Sequence, residues 1–140
     1  MKTFTNSIFA AAILLSASAS NAQERDPFIG DYGGDCGPDV QCWVEVEKAG
    51  EDYKVSFFAA DRMDASKILC RVDSLMDRGQ VLYSPQEMWD DALGGKFQGS
   101  NTYAALGRDG SSLILGGGLT AGRACDVYFW NQEYFAFGDY

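Results

Sequence analysis

Two runs between residues 40 and 59 alternate apolar and polar side chains. The apolar positions are Val40, Cys42, Val44 and Val46 in the first run, and Tyr53, Val55, Phe57 and Ala59 in the second. A period of two puts such side chains on one face of a β-strand. The tight connection 49–52 contains Gly50, so the stretch predicts a β-hairpin with one buried face. Because a lone hairpin is unstable in water, further strands must cover it.

Turn residues separate several more short runs of strand character. The predicted strands are residues 28–32, 67–75, 80–83, 96–98, 102–106, 111–115, 124–130 and 133–137. Turns are predicted at 77–79 and 107–110, and the glycines at 116–118 are expected to break any strand. Many short strands with frequent turns predict an all-β fold. We favour a small antiparallel barrel of about eight strands, filled by its own side chains.

The spacing of apolar residues changes from the period of a strand to that of a helix in one place, at residues 84–93. The sequence Ser84-Pro85-Gln86-Glu87 fits a helix capping box with proline at the first helical position. The apolar residues that follow recur at helical spacing, and Gly94 and Gly95 come directly after them. We therefore expect one short helix inserted between strands.

The first residues predict export. Lys2 precedes the apolar run 8–15, and small residues lead to a cleavage site at Ala22. Residues 1–22 then form a signal peptide and residues 23–140 a single domain, periplasmic or secreted. The apolar run is shorter than the roughly 20 residues that span a bilayer, so no membrane insertion is expected.

Four cysteines in a small exported domain favour two disulfides. Three pairings are open. We favour Cys36 with Cys42, a short clip at the first strand, and Cys70 with Cys125, a long bridge from the third strand to a late one.

Charge narrows the choice of partner. The formal charge is −9, and it becomes −10 without residues 1–22, which hold one lysine and no acid. Such a balance disfavours nucleic acid and anionic membranes and favours a basic protein. The chain has no histidine, which removes histidine-dependent nucleophile arrangements. Pairs such as Asp90 and Asp91 arise easily among 20 acids, so we expect no enzyme.

No cofactor or metal is expected either. The acids Asp31, Asp35 and Asp39 depart from the spacing of an EF-hand loop. A structural zinc site without histidine would need all four cysteines as thiolates.

One stretch resembles a known family. It runs from Leu93-Gly94-Gly95-Lys96-Phe97-Gln98 through Thr102-Tyr103 to the apolar residues 113–115. It resembles the region of the bacterial inhibitors of c-type lysozyme in which a Ser-Gly-x-Lys/Arg-Tyr loop precedes an aromatic strand; the serine position is Leu93 here. The resemblance implies a small exported barrel with disulfides that places loop residues in the lysozyme cleft.

Carried over residue by residue, the resemblance implies an inhibitory loop of Gly94, Gly95, Lys96 and Phe97, with Tyr103 as a secondary contact. A cation on a glycine-flanked turn also suits a cleft that holds two carboxylates. Arg123, beside Gly122, is a second candidate for that role. Two alternatives stay open: a barrel that carries a small apolar ligand, and an envelope-associated interaction module, with a homodimer as one form of it.

Overall fold

A computed structural model describes residues 25–117, Cys125 and residues 133–137, with only the backbone at positions 83 and 84. These residues form strands, turns and loops and contain no helix. The strands are β1 (Gly30–Asp35), β2 (Val40–Ala49), β3 (Asp52–Asp61), β4 (Asp64–Ser84), β5 (Glu87–Phe97), β6 (Ser100–Leu106), β7 (Ser112–Gly117) and β8 (Glu133–Ala136). No helix of the described part is long and apolar enough to cross a membrane.

The strands close into a barrel in which each pairs with its neighbours in the sequence. All pairs are antiparallel, and β8 returns to β1 by pairing Tyr32 with Ala136 and Gly33 with Phe135. The prediction of an all-β barrel of about eight antiparallel strands is confirmed. Closure gives a meander without the open edges that would otherwise template aggregation.

The hairpin predicted at 40–59 is the β2–β3 pair. Its ladder runs from Val40 opposite Asp61 to Ala49 opposite Asp52. Gly50 opens the two-residue turn with a φ of +68°, a conformation that favours glycine. The apolar face of each strand points inward, and Val44, Val55 and Phe57 are fully buried. The alternation therefore set the inside and outside of this pair correctly.

Both favoured disulfides are present. Cys36 bonds to Cys42 across the β1–β2 connection, and Cys70 of β4 bonds to Cys125. All four cysteines are buried in the core, so each bridge also contributes apolar contacts there.

The predicted turn at 77–79 is wrong. One long strand, β4, runs through these positions, with Asp77 opposite Gly94, Arg78 opposite Leu93 and Gly79 opposite Ala92. The register shifts between Gly79 and Val81, so the local feature is a bulge rather than a turn. The glycine and polar residues bend the strand without ending it.

The inserted helix at 84–93 is also wrong, because strand β5 begins at Glu87. Ser84 pairs with Glu87, and Pro85 and Gln86 form the turn between them. Proline suits the second position of a β-turn as well as the first position of a helix. A helix here would also leave β4 and β6 without the strand that pairs with both, and tertiary pairing prevails over the local pattern.

Two smaller differences concern the late strands. Strand β7 continues through Gly116 to Gly117, although the glycines were expected to break it earlier. A side chain at Gly116 would lie 2.1 Å from the Tyr103 ring, so the glycine admits that ring. The predicted signal peptide and Arg123 lie outside the described residues, as does the predicted strand 124–130 apart from Cys125.

Candidate functional site

The four residues expected to form an inhibitory loop lie in β5 instead, so the prediction of a loop there is wrong. Gly94 pairs with Tyr103 and Gly95 with Thr102, while Lys96 stands opposite Asn101 and Phe97 opposite Ser100. Residues 98 and 99 form the actual turn. The expected residues are therefore held in a ladder, close to the end of the β5–β6 hairpin.

The turn of this hairpin is narrow. Gln98 has a φ of 51° and Gly99 a φ of 85°, the two positive angles of a type I′ turn. Phe97 is half-buried and packs against the core, which anchors the hairpin end. Lys96 is exposed, and it makes no ion pair with any described residue. The hairpin thus presents an ammonium group without an ion-pair partner among the described residues, next to a narrow two-residue turn.

A groove of about 330 Å³ lies beside this hairpin, and we call it the glycine groove. Its lining residues come from β4, β5 and β6: Asp77, Arg78, Gly79, Gln80, Val81, Leu82, Gly94, Gly95, Asn101, Thr102 and Tyr103. Gly94, Gly95 and Tyr103 are predicted site residues, and Lys96 pairs with Asn101. Three of the expected contacts therefore line one groove, while Lys96 and Phe97 follow Gly95 in β5 without lining it and Arg123 lies outside the described residues.

The glycines are required for the shape of this groove. A Cβ on Gly95 would lie 2.3 Å from the carbonyl oxygen of Leu75, and one on Gly94 would lie 3.0 Å from Cγ2 of Val81. The strand partner of Gly94 is Asp77, and Val81 lies four residues further along β4. The closeness of Val81 to Gly94 therefore shows that the outer part of the β4–β5 hairpin bends back over the sheet. We call this outer part, residues 77–92, the arm.

Arg78 fastens the arm to the end of the barrel. Its Nε and Nη2 donate to the two carboxylate oxygens of Asp91, each at 2.8 Å. Nη1 lies 3.8 Å from Oδ1 of Asp26, and the guanidinium carbon lies 5.0 Å from the centre of the Phe28 ring. The hydrogen bond from Arg78 lowers the pKa of Asp91, and the pKa of Arg78 is raised by the same bond. Sequence reasoning missed this residue because it placed Arg78 in a turn.

A second groove, of about 550 Å³, lies on the outer face of β8, β1 and β2, and we call it the aromatic groove. Its lining residues are Gly33, Gly34, Asp35, Gln41, Cys42, Trp43, Glu133, Phe135, Ala136 and Phe137. Its central strand β1 is four strands from β5 in an eight-strand barrel, so the two grooves lie on opposite sides. Sequence reasoning missed the aromatic groove, since nothing local indicates that β8 pairs with β1.

Register explains the aromatic groove. Phe135, Gly33, Trp43 and Phe58 stand opposite one another across four neighbouring strands. The Trp43 ring stacks on Phe58 at 5.1 Å, and its Nε1 donates to Glu45 at 2.7 Å. Gly33 leaves a gap in this row, over which the Phe137 ring lies. Trp43 therefore faces outward, opposite to its buried neighbours Cys42 and Val44, and forms one wall of the groove.

The barrel interior is packed in the part of the chain that the structure describes. The largest fully buried side chains include Phe28, Phe57, Met76, Leu113 and Tyr134. The buried Tyr134 hydroxyl has no hydrogen-bond partner among the described residues, and burial raises its pKa. Both grooves lie outside the barrel, and the described residues contain no group of three or more acids or cysteines that could hold a metal ion.

No family model matches this chain, and no curated protein or solved structure does. Function is therefore inferred from the charge, the fold and the two grooves.

Proposed function

We propose that this chain is an exported acidic protein that binds and inhibits a basic enzyme, with c-type lysozyme as the named target. The observation that supports this most is that Gly94, Gly95 and Tyr103 line one groove, while the exposed Lys96 stands next to it, opposite the lining residue Asn101 and close to the hairpin turn. The inhibited state is a steric one, in which the β5–β6 hairpin end occupies the active-site cleft. No covalent chemistry is involved.

Lys96 has the chemistry for such a cleft. Lysozyme hydrolyses its substrate with two carboxyl groups that flank the scissile bond. An ammonium group entering between them forms charge-assisted hydrogen bonds in a place that excludes water. Because the chain itself offers Lys96 no carboxylate in the described part, the lysine loses no internal ion pair on binding.

The rest of the surface contributes to the rate of encounter. The chain carries a net charge of −9, and a basic enzyme is attracted toward it over about 10 Å at ordinary salt. Phe97 is already packed on the core and the turn residues already hold their positive φ angles. Little conformational entropy is then lost when the hairpin docks.

The test is lysis of bacterial cell walls by a c-type lysozyme in the presence of the mature, oxidised protein. Lys96→Ala should weaken inhibition by at least about tenfold, since it leaves the enzyme's carboxylates without a partner. The matched control is Arg108→Ala. Arg108 is exposed like Lys96, but it lies in the connection that follows β6 and so at the opposite end of the barrel. Its loss should change inhibition by less than about threefold.

The outcomes separate the alternatives. If the Lys96→Ala variant still inhibits, the protein remains a proposed inhibitor, but its contact with the enzyme lies at Arg123 or elsewhere. Lysis that continues unchanged with the protein in large excess would contradict the inhibitor proposal. The interaction-module alternative would then gain weight, because Phe135 and Phe137 are 57% and 62% exposed.

A further inference from the structure

We propose that the aromatic groove is a second binding site, which takes an arginine side chain from an extended segment of a polypeptide partner. The site lies on the face opposite the glycine groove and does not rest on the inhibitor function. Its lining includes the Trp43, Phe135 and Phe137 side chains, and the Phe137 ring lies over Gly33, where the absence of a side chain makes room for it.

The row of side chains that forms the groove already binds one guanidinium. Arg71 of β4 stands opposite Phe58, and its guanidinium carbon lies 4.7 Å from the centre of that ring. Its Nε donates to both carboxylate oxygens of Asp73 at 3.1 Å. At this end of the row, an aromatic face and a carboxylate together hold an arginine.

The other end of the row has the same components without the cation. Trp43 and Phe135 flank Gly33, and the acidic residues Asp35 and Glu133 line the same groove; one Glu133 oxygen accepts a hydrogen bond from the Ser112 hydroxyl at 2.8 Å. None of the described lining residues is a lysine or arginine. Aromatic faces and anions that converge without a cation complement a cationic ligand.

Arginine suits the groove better than lysine. Its guanidinium is planar, so it stacks on an aromatic face while its edge donates to carboxylates. It is also more weakly hydrated than an ammonium group, which lowers the cost of leaving water. The groove of about 550 Å³ has room for the apolar stem and adjoining backbone as well as the charged head.

The test is a titration of the ¹⁵N-labelled, oxidised protein followed by NMR. The ligand is a blocked five-residue peptide with one central arginine. The matched peptide carries citrulline, which keeps the shape and removes the charge. The signals to follow are the Trp43 indole Nε1–H and the Gly33 amide. The variants are Phe135→Ala and the control Leu82→Ala, whose side chain is 62% exposed but lies on the arm.

The proposal predicts that the arginine peptide shifts both signals and binds about tenfold more tightly than the citrulline peptide. Phe135→Ala should weaken binding several-fold, Leu82→Ala should leave it unchanged, and added salt should weaken it. Equal affinity for the two peptides would overturn the proposal. So would full binding by Phe135→Ala, or no shift of either signal at millimolar arginine peptide.

Discussion

The two grooves are both floored by glycines, but those glycines are constrained by different things. Beneath the glycine groove, an added Cβ at Gly95 would meet the backbone oxygen of Leu75 at 2.3 Å. At the aromatic groove, a Cβ at Gly33 would meet the Phe137 ring at 2.9 Å. A backbone oxygen in a ladder cannot move, whereas an exposed ring can turn aside. A side chain at position 95 would therefore disturb the pairing of β4 with β5, whereas one at position 33 would change only the shape of a surface groove.

The walls of the two grooves are supported differently as well. The arm beside the glycine groove is fastened to the barrel by the contacts of Arg78 with Asp26 and Phe28, and its own two strands are joined by the partly exposed Arg78–Asp91 ion pair. The Trp43 wall is fastened by stacking on the buried Phe58. Solvent weakens ion pairs but not ring contacts. We therefore expect the arm to separate from the barrel more easily than the Trp43 side chain separates from Phe58.

The largest expected effect on stability comes from removing the disulfides that lie beside the two grooves. Cys70–Cys125 fixes β4, a strand of the glycine groove, and spans 55 residues; Cys36–Cys42 lies beside the aromatic groove and spans 6. In the chain-entropy account, removing the long bridge by Cys70→Ala with Cys125→Ala costs about 4 kcal/mol of unfolding free energy, and removing the short one about 2 kcal/mol. Urea denaturation of the two double variants measures this difference. A larger loss from the short bridge would contradict it.

The next effect is at the floor of the glycine groove. Gly95→Ala should lower the free energy of unfolding by about 3 kcal/mol, because the new methyl overlaps the Leu75 carbonyl. Gly79→Ala is the matched control, since it lines the same groove and its Cβ would meet nothing within 4 Å. The control should change stability by less than about 1 kcal/mol. Equal stabilities in denaturant would show that β4 and β5 are not packed this closely.

Gly33→Ala should be far milder. The methyl displaces the exposed end of the Phe137 ring, at a cost of less than about 1 kcal/mol in unfolding free energy. The groove itself is altered, however, so the arginine peptide should bind several-fold more weakly. Denaturation and peptide titration of one variant measure both quantities. A loss of stability as large as that of Gly95→Ala would end the distinction drawn between the two floors.

The smallest expected effect is the pH dependence of the stability that the Arg78–Asp91 pair gives to the arm. Arg78 lowers the folded-state pKa of Asp91, so this pair stabilises the fold above the unfolded-state pKa of about 3.9. That stability is lost as the pH falls through the lower, folded-state pKa. Asp91→Asn should lower stability at pH 7 by less than about 1 kcal/mol, since the pair is exposed, and the difference from wild type should vanish in acid.

Asp90→Asn is the control for the acid effect, because it removes the same charge but not the bonds to Arg78. Hydrogen exchange of the arm amides gives a second measurement, and exchange should accelerate in Asp91→Asn alone. The same pH dependence in both variants would mean that net charge, not the Arg78 contact, is responsible.

The fold was largely predictable from the sequence where the period of two is regular. The alternation at Val44 and Val55 gives the inward face of β2 and β3 without any tertiary information. At Pro85 and Leu93 the local signals also fit a helix, and only the need of β4 and β6 for a partner makes this stretch a strand. The local sequence pattern contains no information about this requirement for a strand partner.

The candidate site was predictable in part. The resemblance selected Gly94 and Tyr103, which line one groove, and Lys96, which lies next to it opposite Asn101, although all three are strand and not loop residues. The aromatic groove depends on Phe135 standing beside Gly33, a contact between residues about a hundred positions apart. Charge and periodicity contain no information on that pairing.

The central claim is that the hairpin face, not the aromatic face, contacts the inhibited enzyme. Backbone NMR of the ¹⁵N-labelled protein, titrated with c-type lysozyme, tests it directly. The prediction is that the amides of Gly94, Lys96 and Gly99 shift or broaden at stoichiometric enzyme while the Gly33 amide and the Trp43 indole signal keep their positions relative to the rest of the barrel. Changes confined to Gly33 and Trp43, or none at any residue, would contradict the claim.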